Sequence, residues 1–536
     1  MILSRHLLFT QEEFDNNSAL NGTAASGSYN TMEFVLRLRD DVRKALNDDE
    51  MDFVKIQASS TSLHENIHWW QHVGSNFGFL FSLAYPAFAH KTFDNLKNII
   101  SLGLTYKPIT KYDKDYYDKN GKSDIADINI ILNNYHDLEY AKIFALDNKN
   151  ITEIIKDRKF FINVGHCYFI FWTSTINSIA GSIDRERRFL PNIDNWPPYF
   201  KLLTERNIDG FVTDSSMHIS PLGIKAIYEG QAVFNQIQYL TRYSPDLTYA
   251  DFENIGLLHG IYIEAFEIFL SITGYKKPSN VLDPIVGLFL IICDISINPN
   301  NGFPLDIYDY ENFIKKNDPG IRFYFLCISI QKNTAEYLKK INLYSKEEYI
   351  ILSKELSESI GCKCSYESIL EVLKWQNEKY VAQILNEEID LKFINENLPI
   401  RLMFSKYFRF QEDKYNYPNV FCWIGFHSIS TNSNVEFEIV DSLFKKHHAL
   451  FTDDYDGEIK PVLFEGRKDE NIIESFNNFY NFNLLYDLIL QWVDKEGEFK
   501  FNYKWIVNER EKEFIPIVKE NFKMQFGISL DDIKIL

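Results

Sequence analysis

Between Gln57 and His90 the chain carries one formal charge, Glu65, which directly follows His64 and stands three residues before His68. A stretch so poor in charge belongs inside a fold, and a lone carboxylate there needs a cation or donors beside it. Leu63, Ile67 and Trp70 recur at helical spacing and give the segment an apolar face. The run Ser59-Ser60-Thr61-Ser62 offers the N-caps for such a helix. The rest of the chain therefore has to be built around a buried helix that contains a charge.

The quintet His64-Glu65-Asn66-Ile67-His68 is an H-E-x-x-H motif. On a helix, residues four apart share a face, so two imidazoles can bind one zinc at about 2.0–2.1 Å each. Glu65 lies about 100° around the axis from His64, where its carboxylate can face a water on the metal without becoming a ligand. With twelve histidines in 536 positions, accidental matches are expected on the order of 0.02 times. His72 lies about 12 Å along the axis from His64, too far for the same ion, and is expected on the helix surface or a cleft wall. Gln71 and Gly74 also break the H-E-x-x-H-x-x-G-x-x-H pattern of metzincins. The third ligand must come from elsewhere. Glu229, within "AIYEGQAVFNQ", is the first candidate, and Glu264 and Glu267 compete with it. A glycine inside a helix costs about 1 kcal/mol relative to alanine, so Gly230 calls for a reason, and close approach to the motif helix would be one.

His64, Glu65 and His68, followed by Glu229-Gly230-Gln231-Ala232, resemble the gluzincin clan of zinc metallopeptidases, in which a downstream helix provides a glutamate ligand, often within E-G-x-A. The resemblance implies a zincin-like region with zinc as cofactor, held by His64, His68 and Glu229. It implies a water in the open fourth position, with Glu65 as general base for hydrolysis of a peptide bond. It also implies a Tyr or His donor to the oxyanion, for which His259 and Tyr262 are the candidates, with His166 and His218 behind them. Some gluzincins orient a histidine with an acidic residue four positions after the ligand glutamate. Val233 stands there in this chain, so the orienting groups must differ. Two other classes share part of the pattern. Glu65-x-x-His68 is also the spacing of di-iron carboxylate bundles, but no second Glu-x-x-His occurs. A non-catalytic binding protein that keeps zinc for structure or recognition is the other alternative.

Hydrophobic residues make up 45% of the chain and charged ones 24%, a globular composition. The expected fold class is α+β: a mainly helical, zincin-like region over residues 1–395, then a smaller mixed α/β region over 396–536. Apolar residues at three-and-four spacing predict helices over 36–47, 220–243, 254–274 and 365–389. Ser220-Pro221 is the expected start of the second and Gly274 the stop of the third. The polar segment 107–136 reads as a solvated loop, because an EF-hand frame with Gly121 at its sixth position puts Tyr116 where an acidic ligand belongs. In the C-terminal region "PIRLMFSKYFRF", "VFCWIGFHSIS", "PVLFEG" and "GEFKFNYKWIV" read as strands, with Asp456-Gly457 as a turn.

The net charge of −19 argues against chain-wide attraction to nucleic acid or anionic membrane. The expected partner is a protein or peptide substrate. The uncharged segment 160–183 reads as a buried helix rather than a span, and "PIVGLFLIIC" is too short to cross a bilayer. Six irregularly placed cysteines suit reduced thiols, and "MILSRHLLFTQEEF" lacks the marks of a signal peptide, so a cytoplasmic protein is expected. A selective peptidase, restrained until triggered, suits that compartment, with the C-terminal region supplying recognition or restraint.

Overall fold

The computed structural model describes residues 34–48, 52–121, 125–146, 151–157, 159–215, 219–428, 435–454, 458–501 and 511–536. Helices dominate, with a few short strands, which makes the protein α+β with a helical bias. The motif helix, Phe53–Gly74, starts earlier than the serine run suggests, because the Asp52 side chain accepts from Lys55 N and caps it. The serine run then lies inside the helix, where the Ser60 and Thr61 hydroxyls bond back to Gln57 O. That local bond is how a hydroxyl is accommodated in a buried helix. Leu63, Ile67 and Trp70 are buried as their spacing requires.

The glutamate helix, Ile224–Thr241, begins at Gly223 rather than at Ser220. Leu222 N donates to the Ser220 hydroxyl, 3.3 Å, which folds that segment into a turn ahead of the helix. Gly230 answers to close packing, but against different neighbours than the motif helix. A Cβ there would lie 3.0 Å from the Phe289 ring and 3.5 Å from Ala265 Cβ. The helix predicted over 254–274 is two, Tyr249–Ile255 and Ile261–Thr273, parted by Gly256 and Gly260, both at positive φ. Gly274 ends the second in the left-handed conformation, as expected of a C-terminal glycine. Residues 365–389 likewise form two helices, Ser365–Lys374 and Lys379–Ile389, around a short 3-10 turn.

The polar segment expected to be a loop is helical, over Ile109–Asn120 and Ala126–Leu146. Ile109 and Asp113 face inward, and Asp113 pairs with Lys159 at 2.7 Å, so a narrow inward stripe suffices to hold the first of them. The run 160–183 forms the buried helix Val164–Ile183, capped by Asn163. Among the described residues no helix is long and apolar enough to cross a membrane.

The C-terminal texture misleads most. "PIRLMFSKYFRF" lies in the helix Leu398–Asn416, and "VFCWIGFHSIS" holds the short helices Pro418–Cys422 and Ile424–His427. Residues Leu398 to Phe408 are buried all round, so no polar face remains to reveal the helical period. Of "PVLFEG" only Pro461 belongs to a strand. Residues 497–501 of "GEFKFNYKWIV" are irregular, and its remainder lies outside the described residues, as does the Asp456-Gly457 turn. Strands Phe451–Asp453 and Ile459–Pro461 pair antiparallel. Val35–Leu36 adds to Phe451–Asp453 in parallel, and Tyr106–Lys107 pairs in parallel with Lys534–Ile535.

Elements beyond residue 396 brace the motif helix directly. Gln411 Nε2 donates to Gly74 O at 2.9 Å, and Tyr407 OH donates to Asn76 Oδ1 at 2.7 Å. Trp70 Nε1 donates to His447 O at 2.8 Å, and Ala449 N donates to Asn66 Oδ1 at 3.0 Å. One hydrophobic cluster runs through residues on both sides of position 395.

Candidate metal centre

The motif and glutamate helices lie side by side, and three side chains meet between them. His64 Nε2 is 3.1 Å from His68 Nε2, and each stands 3.3 Å from Glu229 Oε2. Ligands at about 2.0–2.1 Å from a tetrahedral zinc stand about 3.3–3.4 Å apart. The triangle is therefore close to one face of such a tetrahedron. It is the one group of three or more His, Cys, Asp or Glu among the described residues that could hold a metal ion. The histidine side chains are 8% and 9% exposed and that of Glu229 is 26%, so the glutamate side is the one through which solvent reaches the triangle.

Hydrogen-bond accounting says what the triangle lacks. His68 Nδ1 faces Gln71 Oε1 at 2.8 Å, and the Gln71 amide nitrogen is committed to Tyr228 O, 2.9 Å, and Gln231 Oε1, 3.0 Å. Because a backbone carbonyl cannot donate, the Gln71 oxygen must point at the histidine and His68 Nδ1 must carry a proton. His64 Nδ1 faces Gln236 Oε1 at 3.0 Å. The Gln236 amide nitrogen reaches the Ser60 hydroxyl, 3.4 Å, whose own proton goes to Gln57 O. Both neutral imidazoles thus turn an Nε2 lone pair toward Glu229. Three acceptors converge with no donor among them, an arrangement that a proton or a cation must complete.

The electrostatics follow. Burial opposes a charge on His68, but the Glu229 carboxylate, with help from Glu65 and Gln71, outweighs it and raises its pKa to about 9. Burial would likewise raise Glu229, yet His68 and His64 hold its carboxyl well below the usual range. The residues present therefore fit a divalent cation: two imidazoles whose Nδ1 atoms face amide oxygens and whose Nε2 atoms face one carboxylate, with a proton on His68 Nε2 that a cation would displace.

Glu65 is buried next to the first ligand, near enough for its charge to act on His68. The Tyr262 ring stands edge-on to His64, with centroids 6.0 Å apart, while the His259 ring lies beyond it, 5.5 Å from Tyr262. The tyrosine thus borders the triangle and the histidine stands one ring further out. Glu264 is partly buried on the Ile261–Thr273 helix and is not part of the triangle; Glu267 is exposed and lies 3.9 Å from Lys277. His166 is 3.3 Å from Asp137, away from the triangle, and His218 lies outside the described residues. His72 is buried rather than on the surface, edge-on to Tyr228 at 5.0 Å between centroids. Burial, with His68 nearby, pushes its pKa well down.

Gln71 and Gln236 are the site residues the sequence reading missed. Both were detectable: Gln71 follows His68 by three and Gln236 follows Glu229 by seven, so each shares a helical face with a ligand. Their amide oxygens face His68 and His64, where the sequence reading expected a group other than Val233. Comparison of the chain with family models, with curated proteins and with solved structures gave no match.

Proposed function

We propose that the protein is a zinc-dependent metallopeptidase that hydrolyses a peptide bond in a protein or peptide substrate. The observation that carries this reading is the donor-free triangle of His64, His68 and Glu229, with Glu65 in the sequence position of a general base. Those three side chains would hold the ion. When bound, zinc would lower the pKa of a water in the open position and polarise the scissile carbonyl. Glu65 accepts the proton of the attacking water and returns it to the leaving amine. Tyr262, whose ring borders His64, is the first candidate donor to the developing oxyanion, with His259 the second. Burial of all six cysteines as free thiols supports a reducing, cytoplasmic setting.

Elemental analysis combined with a peptide library tests the reading. The expected result is about one zinc per chain, sharply reduced in Glu229→Ala, and cleavage that disappears in Glu65→Gln while its zinc stays. Zinc with no Glu65-dependent cleavage of any peptide would favour a non-catalytic zinc protein. A wild type that takes up no zinc would refute both.

A further inference from the structure

We propose that Gln71 is the positioning residue of this centre, fixing His68 as the more firmly held of the two histidine ligands; the inference rests on the zinc reading. Both histidines are oriented by neutral amides, but the two amides are not equally constrained. The Gln71 nitrogen has two acceptors at 2.9 and 3.0 Å, one of them the backbone carbonyl of Tyr228. Turning the amide over would set its oxygen against both. The Gln236 nitrogen has a single, longer contact of 3.4 Å, to the Ser60 hydroxyl, so its amide is held less firmly.

The two ends of the Gln71 amide therefore do different things. Its nitrogen reads the position of the glutamate helix, one residue before the ligand Glu229. Its oxygen takes the Nδ1 proton of His68 and leaves the Nε2 lone pair in the triangle. Gln71 is 3% exposed, so water does not compete for either bond. The packing of the two helices is thus coupled to the tautomer of a ligand by a single side chain. A neutral amide also draws less on the imidazole proton than a carboxylate would, so the ion retains more of its charge for water and carbonyl.

The test compares zinc affinity, by chelator competition, and the visible spectrum of the cobalt-substituted protein in wild type, Gln71→Met, Gln71→Glu and Gln236→Met. Methionine keeps the length and removes both bonds, and is expected to weaken zinc about 10–100-fold and to shift the cobalt bands. Gln71→Glu keeps an acceptor for the His68 Nδ1 proton, so it should lose less zinc affinity than Gln71→Met and recover most of the cobalt spectrum. Gln236→Met should weaken zinc less than Gln71→Met. Equal losses at the two positions, or a Gln71→Glu variant as weak as Gln71→Met, would overturn the assignment and leave the zinc reading standing. A wild type that binds neither zinc nor cobalt would overturn the zinc reading and this inference with it.

Discussion

Under the zinc reading, the metal and a proton compete for one atom of the His64–His68–Glu229 triangle, and the competition can be measured. Without metal, His68 keeps its second proton up to about pH 9, because Glu229 outweighs the cost of burial. The Nδ1 proton is committed to Gln71 at 2.8 Å, so the proton that zinc displaces is the one on Nε2. At pH 7, two units below that value, about 1% of His68 is free to bind, so zinc affinity sits about 100-fold, or about 2.7 kcal/mol, below its high-pH limit. Calorimetric titration from pH 6.5 to 9.5, in buffers of different ionisation enthalpy, should show affinity rising about tenfold per unit and levelling near 9. About one proton should leave per zinc at pH 7. The folding of the metal-free protein carries the opposite sign. The folded pKa is raised above 6.5, so the stabilisation from the His68–Glu229 pair is complete below about 6.5 and is lost as pH rises through about 9. A zinc affinity that is flat between pH 7 and 9, with no proton released, would refute the assignment of protons on which the centre is built.

Other perturbations have equally definite outcomes. Tyr262→Phe should lower kcat about 10²–10³-fold with zinc content unchanged if its hydroxyl stabilises the oxyanion; unaltered turnover removes Tyr262 from that role. Glu388 is buried among Lys406, Arg409 and Arg467, with Lys406 at 2.7 Å, and these cations pull its pKa down to about 2 against the effect of burial. Glu388→Ala leaves a buried lysine uncompensated and should cost about 3–5 kcal/mol in chemical denaturation, a loss under 1 kcal/mol being the refuting result. In the parent protein that carboxylate's contribution is present above about pH 4.5 and is lost as pH falls toward 2. Gly425→Ala would bring a Cβ to 2.2 Å from Asn235 O on the glutamate helix. It should destabilise by about 1–3 kcal/mol and weaken zinc binding through the displaced helix, whereas an unchanged melting temperature and zinc affinity would show that the contact relaxes freely.

The grouping of His64, His68 and Glu229 was more legible in the sequence than the fold around it, and the reasons differ by residue. His64 and His68 are read from helix geometry alone, since four residues make about one turn wherever the helix lies. Glu229 was singled out by the helix glycine that follows it and by the resemblance, since helical spacing alone does not distinguish a glutamate that faces another helix from one that faces water. Tyr262 and His259 were equal candidates in the sequence, and only the packing shows which ring borders His64. The strands expected in the C-terminal region fail where burial is complete: Ile400, Leu402, Phe404 and Phe408 are as buried as Met403 and Tyr407, and a segment with no wet face has no readable period. The early start of the motif helix was hidden for a different reason. Asp52 and the serine run are both capable caps, and tertiary packing chose between them.

The braces on the motif helix also bear on when this protein can acquire its chemistry. Trp70 with His447, Asn66 with Ala449 and Gly74 with Gln411 join residues 337 to 383 positions apart. Contacts of such separation make folding slow, since a long loop must close before they repay its entropy. During synthesis both histidines, and later Glu229, emerge from the ribosome well before the segments that hold their helix in place. The helix that carries His64 and His68 therefore lacks its bonds to His447 and Ala449 until synthesis has passed residue 449.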